Sequence, residues 1–113
     1  MNKYNAKKTE VDGYVFDSMR EANRYKELML MLKSKEISDL VLQPTFLLLE
    51  GFTYKGKKER KIEYLADFKY KDKQGKTVVE DVKSKFTAKL PVYRIKKKLL
   101  LDRYPEINFY EIF

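Results

Sequence analysis

Three features of the chain predict an α/β domain, one mixed sheet flanked by helices in the order helix, three strands, helix, strand (αβββαβ). The length, 113 residues, suffices for one hydrophobic core and not for two. Helical spacing of apolar residues occurs near both ends, and two-residue spacing lies between. The apolar content of 43% is ordinary for a globular chain and too high for a disordered one.

Residues 1–10 read as a mobile basic arm, and residues 11–113 as the folded domain. Val11 to Phe16 reads as a turn and a short strand. Ser18 and Glu21 have the spacing of a capping box, so a helix starts there. Ala22, Tyr25, Leu28, Met29 and Leu32 continue it at helical spacing to about Lys35. Leu40 to Glu50 is the first strand, bent at Pro44. Glu59 to Lys71 is the second, with Ile62, Tyr64, Ala66, Phe68 and Tyr70 on one face. Asp72 to Lys76 is a hairpin turn. Thr77 to Ser84 is the third strand, with Val78, Glu80 and Val82 opposite Val79, Asp81 and Lys83. Pro91 suits the first turn of a second helix, whose apolar face draws on Tyr93, Ile95, Leu100 and Leu101 and which Tyr104-Pro105 ends. Ile107 to Phe113 is the last strand. There is no repeat and no low-complexity tract.

The chain has no Cys and no His, which excludes disulfide frameworks, zinc fingers, Ser-His-Asp sites and a histidine base. Acid–base or metal chemistry must then rest on Asp, Glu, Lys, Tyr or backbone groups. Carboxylates without imidazole favour Mg²⁺ or Mn²⁺ over zinc. The net charge of +8 points to a polyanionic partner, because neutralising phosphates releases counterions. No apolar run approaches the ~20 residues of a membrane span. The basic N-terminus lacks the apolar stretch of a signal peptide, so a cytoplasmic address is expected. Neither a membrane nor a small-molecule cofactor is expected as a partner.

One acidic constellation stands out by register. Asp81-Val82-Lys83 places a carboxylate and an ammonium on the same face of a strand. A hairpin centred on residue 74 brings Asp67 opposite Asp81. The acid-x-Lys motif alone is weak, since about three matches are expected by chance. It also occurs at Glu59-Arg60-Lys61 and Asp67-Phe68-Lys69, without a register partner. Two carboxylates can hold Mg²⁺ while a neighbouring Lys orients a water and balances charge on a phosphorane. The competing reading is a solvated cross-strand ion cluster, worth ~0.2–1 kcal/mol per pair. Against it, both Asp residues interrupt apolar runs, where an unpaired charge is costly.

With Phe16-Asp17-Ser18-Met19-Arg20-Glu21-Ala22, Leu42-Gln43-Pro44, Tyr64-Leu65-Ala66-Asp67-Phe68 and Val79-Glu80-Asp81-Val82-Lys83-Ser84, the chain resembles the PD-(D/E)XK nuclease superfamily. More narrowly it resembles the small phage-type group akin to endonuclease I and Holliday-junction resolvases. The resemblance spans Lys3 to Phe113 and implies a restriction-endonuclease-like αβββαβ core. It implies that Asp67 and Asp81 bind metal, that Lys83 is the motif lysine, that the Val82 carbonyl completes the metal shell and that Glu21 is a helix-borne acid. Ala66 stands where the superfamily's name has Pro, a position that is not a ligand. On local grounds Glu21 is also explained as the capping partner of Ser18. Glu80 alternates away from Lys83, and Gln43 reads as a polar residue before Pro44.

Lys85, Lys89, Arg94 and Lys97, with Arg20 and Arg24 beside Glu21, are the candidate phosphate contacts. Lys96 to Lys98 span about 200° of helix and cannot all grip one groove. The expectation is a metal-dependent endonuclease acting on DNA, structure-selective for branches or junctions in phage recombination or replication, in the bacterial host cytoplasm. A symmetric junction with two cuts would suit a homodimer. The alternative is a non-catalytic nucleic-acid-binding accessory protein of the same fold.

Overall fold

Residues 7–113 are described by a computed structural model of the chain, which contains a mixed sheet and two α-helices. Most of the expected basic arm, residues 1–6, lies outside the described residues. Its last part is not an arm: strand β1 (Thr9–Val11) pairs antiparallel with β2 (Tyr14–Phe16). Asp12 and Gly13 turn the hairpin with φ of 54° and 81°, the left-handed pair that a two-residue hairpin turn requires. Val11 packs against the first core cluster and Tyr25 donates to the Asp12 carboxylate at 3.0 Å, so the pair is anchored by burial and by a hydrogen bond.

Helix α1 (Met19–Lys33) begins where the capping pattern predicts. The Ser18 side chain accepts from the Glu21 N–H at 3.0 Å, satisfying one orphan donor of the first turn. Ala22, Tyr25 and Leu28 are buried, and Met29 and Leu32 are packed behind them.

The first two expected strands are the two arms of one long antiparallel ribbon. β3 (Ser38–Leu42), β4 (Thr45–Leu49) and β5 (Phe52–Tyr54) run out, and β6 (Lys57–Glu59), β7 (Ile62–Leu65) and β8 (Phe68–Lys71) return. The pairs Val41↔Lys69, Thr45↔Leu65 and Phe52↔Glu59 are all centred close to the Lys55-Gly56 turn. The ribbon is interrupted twice, at Gln43-Pro44 opposite Ala66-Asp67 and at Glu50-Gly51 opposite Arg60-Lys61. At the first break the arms stay linked, Gln43 N–H to the Asp67 carbonyl at 2.9 Å and Ala66 N–H to the Pro44 carbonyl at 3.0 Å. The bend expected at Pro44 is therefore a break in both arms. The β5–β6 end was not expected at all.

β9 (Thr77–Val82) follows the Asp72–Lys76 turn, where the Asp72 side chain accepts from the N–H groups of Gln74 and Lys76. A 3₁₀ turn at Thr87–Lys89 leads into α2 (Pro91–Arg103), and β10 (Asn108–Ile112) returns parallel to β9. The central sheet has the order β10-β9-β8-β3.

A hydrophobic cluster lies on each face. Phe16, Ala22, Tyr25, Leu28, Ile37, Phe68, Tyr70 and Val78 gather under α1. Phe46, Leu48, Tyr64, Ala66, Val79 and Leu100 gather under α2. The expected inward face of the second strand is buried except at Ile62, but it changes cluster between Ala66 and Phe68, across the first break. On α2 only a narrow stripe is inward: Leu100 is fully buried and Tyr93 half-buried, whereas Ile95 and Leu101, expected in that face, are 61% and 40% exposed. The Tyr104 hydroxyl donates to the Leu47 carbonyl and holds the helix end against β4, so Ile95 and Leu101 turn away from the sheet.

Candidate active site

β9 alternates between the two clusters. Val78, Glu80 and Val82 belong to the α1 face, and Val79, Asp81 and Lys83 to the α2 face. The turn sets the register of β8 against β9, with Phe68↔Glu80 and Lys69↔Val79 in line, the register expected for this hairpin; the ladder stops there, one step short of an Asp67–Asp81 pair. Asp67 lies in the ribbon break, just before β8. Its N–H donates to the Glu80 carbonyl at 3.1 Å, its carbonyl accepts from Gln43, and its Oδ2 accepts from the Val82 N–H at 2.7 Å. A residue tied at backbone and side chain has little rotamer freedom.

Asp81 is 2% exposed. Its Oδ2 accepts from the Tyr64 hydroxyl and faces the Lys83 ammonium at 3.8 Å. Lys83 is held from both sides, since its Nζ also stands 4.4 Å from the centre of the Tyr93 ring. Tyr93 in turn donates to Glu111 at 2.6 Å, and Lys97 pairs with the same carboxylate at 3.3 Å. The Lys83 N–H donates to the Ile112 carbonyl, and its own carbonyl accepts from Arg20 at 3.3 Å.

Glu21 completes the group. Only half of the capping box is made, with Ser18 accepting from the Glu21 backbone. The buried Glu21 side chain has Asp67 as its hydrogen-bonding neighbour, with Asp17, Asp81 and Lys83 around it. A cleft of about 460 Å³ opens here, lined by Asp17, Ser18, Arg20, Glu21, Asp67, Val82, Lys83, Ser84 and Thr87. Ser84 and Thr87 exchange backbone-to-hydroxyl bonds at 2.9 and 3.0 Å and shape its rim.

The electrostatics are those of crowded acids. Burial, reinforced by Glu21 and Asp81, pushes the Asp67 carboxyl up to about 8. Glu21 is raised by burial and then by Asp17. Asp81 is raised by burial against the opposing pull of Tyr64 and Lys83. Such a group prefers either protons or a cation. Among the described residues no three acids converge into a ready-made cation cage. The donors do fit Mg²⁺ or Mn²⁺ held in a less enclosed way, because Mg²⁺ keeps several waters and is commonly held by only one or two carboxylates. Asp67 is the half-buried carboxylate that lines the cleft, and Asp81 lies buried behind it.

The match to the family model described as protein of unknown function (DUF1064) runs over residues 1–113. The chain belongs to the DUF1064 family. No curated protein matches the chain, and no solved structure does. Within this DUF1064 fold the expected site residues Glu21, Asp67, Val82 and Lys83 share the cleft, with Asp81 buried beside them. The expected phosphate contacts divide. Arg20 lines the cleft, and Lys85 and Lys89 are exposed beyond β9. Arg94 and Lys97 line a separate hollow beside α2. Arg24 is engaged elsewhere: its Nε and a terminal nitrogen clasp Glu80 at 2.7 and 2.6 Å, with Tyr70 donating to the same carboxylate. Gln43 is exposed, with φ of 51°, and meets Asp67 through its backbone N–H. Sequence reasoning missed Tyr64, Tyr93, Ser84 and Thr87. The tyrosines carry no signal that separates them from ordinary core aromatics, whereas Ser84-x-x-Thr87 is a readable turn pattern.

Proposed function

We propose that this DUF1064 chain is a metal-dependent endonuclease with a restriction-endonuclease-like core, hydrolysing DNA phosphodiester bonds and selective for branched or junction DNA. The observation that carries the reading is the meeting of Glu21, Asp67 and Lys83 at one cleft through three separate elements, with Asp81 buried beside it against Lys83. A chance acid-x-Lys pair has no reason to attract two further acids, Glu21 buried and Asp67 half-buried.

Asp67 and Asp81 would hold Mg²⁺ or Mn²⁺, with the Val82 carbonyl and Glu21 as further donors. The bound ion supplies Lewis acidity toward a phosphate oxygen and makes a water nucleophilic near neutral pH. Lys83, fixed between Asp81 and the Tyr93 ring, is suited to orient that water and balance charge developing on the phosphate. Arg20 stands at the cleft, where a flanking phosphate would enter. Asp81 would act from beneath the cleft, where Tyr64 and Lys83 hold its carboxylate.

The deep burial of Asp81 favours a second reading, an accessory protein that binds nucleic acid without cutting it. Labelled four-way junction, duplex and single-stranded DNA, each with Mg²⁺, Mn²⁺ or EDTA, separate the two. Metal-dependent cleavage is expected, with junctions preferred, and a loss of at least about a hundredfold is expected in Asp81→Ala and Lys83→Ala. Binding of all substrates without cleavage under either metal would transfer the case to the accessory protein.

A further inference from the structure

The outer end of the ribbon does no work for the core. All six residues of β5 and β6 are exposed, and neither strand pairs with anything but the other. A lone two-stranded hairpin is marginal in water, yet this one displays Phe52 at 49% exposure and Tyr54 at 60%. Both rings lie on one face because they are two residues apart, and the cross-strand pairs Phe52↔Glu59 and Tyr54↔Lys57 put Glu59 beside the inner ring and Lys57 beside the outer one. The Lys55 ammonium sits 5.4 Å from the centre of the Tyr54 ring. Between residues 51 and 61 there are five cations, Lys55, Lys57, Lys58, Arg60 and Lys61, against the single carboxylate of Glu59. That segment alone accounts for half of the net charge of +8.

From these features we infer that the β5–β6 hairpin is a binding arm for unpaired DNA, its Phe52 and Tyr54 rings stacking on bases while Lys55 and Lys57 meet phosphates. The charge selects a polyanion, and the rings select one with accessible flat faces. Spacing argues for unpaired nucleotides: residues two apart on a strand are ~6.8 Å apart, about twice the 3.4 Å step of stacked duplex bases. Two such rings therefore suit bases drawn apart. The inference deepens the nucleic-acid part of the proposed function and rests on it, but it needs no metal chemistry. It also assigns a place on the substrate. Ten residues of ribbon separate Lys57 from Asp67, a contour of at most ~33 Å, so at a spacing of ~6.8 Å the arm would meet a strand about five nucleotide steps from the cleft.

Fluorescence anisotropy in EDTA tests it, using a 15-nucleotide oligothymidine, a 15-base-pair duplex and anionic lipid vesicles, at fixed salt. Phe52→Ala/Tyr54→Ala should lose about tenfold or more in affinity for the oligothymidine, as loss of base stacking predicts, and less than about twofold for the duplex. Phe52→Tyr/Tyr54→Phe should bind as wild type, and both variants should melt with the wild-type protein. Equal losses on single strand and duplex would overturn the inference in favour of a ribbon lying in a groove. Unchanged oligothymidine affinity would overturn it outright, as would vesicle binding that depends on the two rings. A protein that binds through the hairpin but cuts nothing would defeat the nuclease reading alone. A protein that cuts, but whose double alanine variant binds like wild type, would defeat the hairpin reading alone.

Discussion

Glu80 and Asp81 are adjacent, both nearly inaccessible, and neutralised in different ways. Glu80 faces α1, where Arg24 clasps it and Tyr70 donates to it. Asp81 faces the other way, toward Tyr64 and Lys83. The first arrangement is a closed ion pair with every carboxylate oxygen engaged, and it reads as architecture: Arg24 lies one turn after Glu21 and fixes that turn against β9. The second sets a tyrosine hydroxyl and a more distant ammonium against one carboxylate oxygen. Arg24 was expected to touch phosphate, and the two roles give different outcomes on substitution. Arg24→Ala should cost about 3–5 kcal/mol in urea unfolding, because Glu80 is left as an uncompensated buried charge. Adding Glu80→Gln should restore part of it. A loss of DNA affinity with unchanged stability would show that the guanidinium belongs to the substrate.

Helix α1 contributes to the site through its first turn. Ser18 caps the backbone of Glu21 without receiving the Glu21 side chain in return, which leaves that carboxyl to Asp67. Ser18→Ala should therefore lower stability by about 0.5–2 kcal/mol through the lost cap. In metal-bound protein it should also loosen the Glu21 turn, read as faster amide exchange there than in the rest of the helix. Uniform exchange along α1 would separate the cap from the site. The start of α1, the inward face of the second strand, the hairpin turn and the β8–β9 register were all readable, because each follows from spacing within a few residues. The breaks at Gln43-Pro44 and Ala66-Asp67 were only half readable. Proline marks one arm, but the matching break at Ala66-Asp67 is set by β9 and the facing arm. The β5–β6 hairpin was missed because Phe52-Thr53-Tyr54 packs against nothing, so no burial pattern announces it. Ile95 and Leu101 misled for the opposite reason: apolar residues on a helix do not say how wide a stripe the sheet will cover.

Taken as a whole, the molecule keeps a group of acids in a place that disfavours their charge, and its stability should depend on pH accordingly. Asp67 begins near the ordinary 3.8 in the unfolded chain and stands at about 8 in the fold. The unfolded state therefore releases this proton first, and raising the pH from about 4 to about 8 favours unfolding. Glu21 and Asp81 act in the same direction. The melting temperature in EDTA should fall across that window, Asp67→Asn should flatten the fall, and Mg²⁺ should raise the melting temperature most at its upper end. A melting temperature that climbs between pH 4 and 8 would contradict the shift. At the same scale, no described helix is long and apolar enough to cross a membrane. The two turns of the sheet, finally, have separate responsibilities. The Asp72–Lys76 turn joins β8 to β9 and closes their pairing, while the Lys55-Gly56 turn closes the far end of the ribbon, where a side chain added at Gly56 would meet nothing within 4 Å. The ribbon's length is thus an independent variable. Two residues can be added to or removed from each arm near Lys55-Gly56, preserving which side chains share a face, and the pairing of β8 with β9 has no means of registering the change.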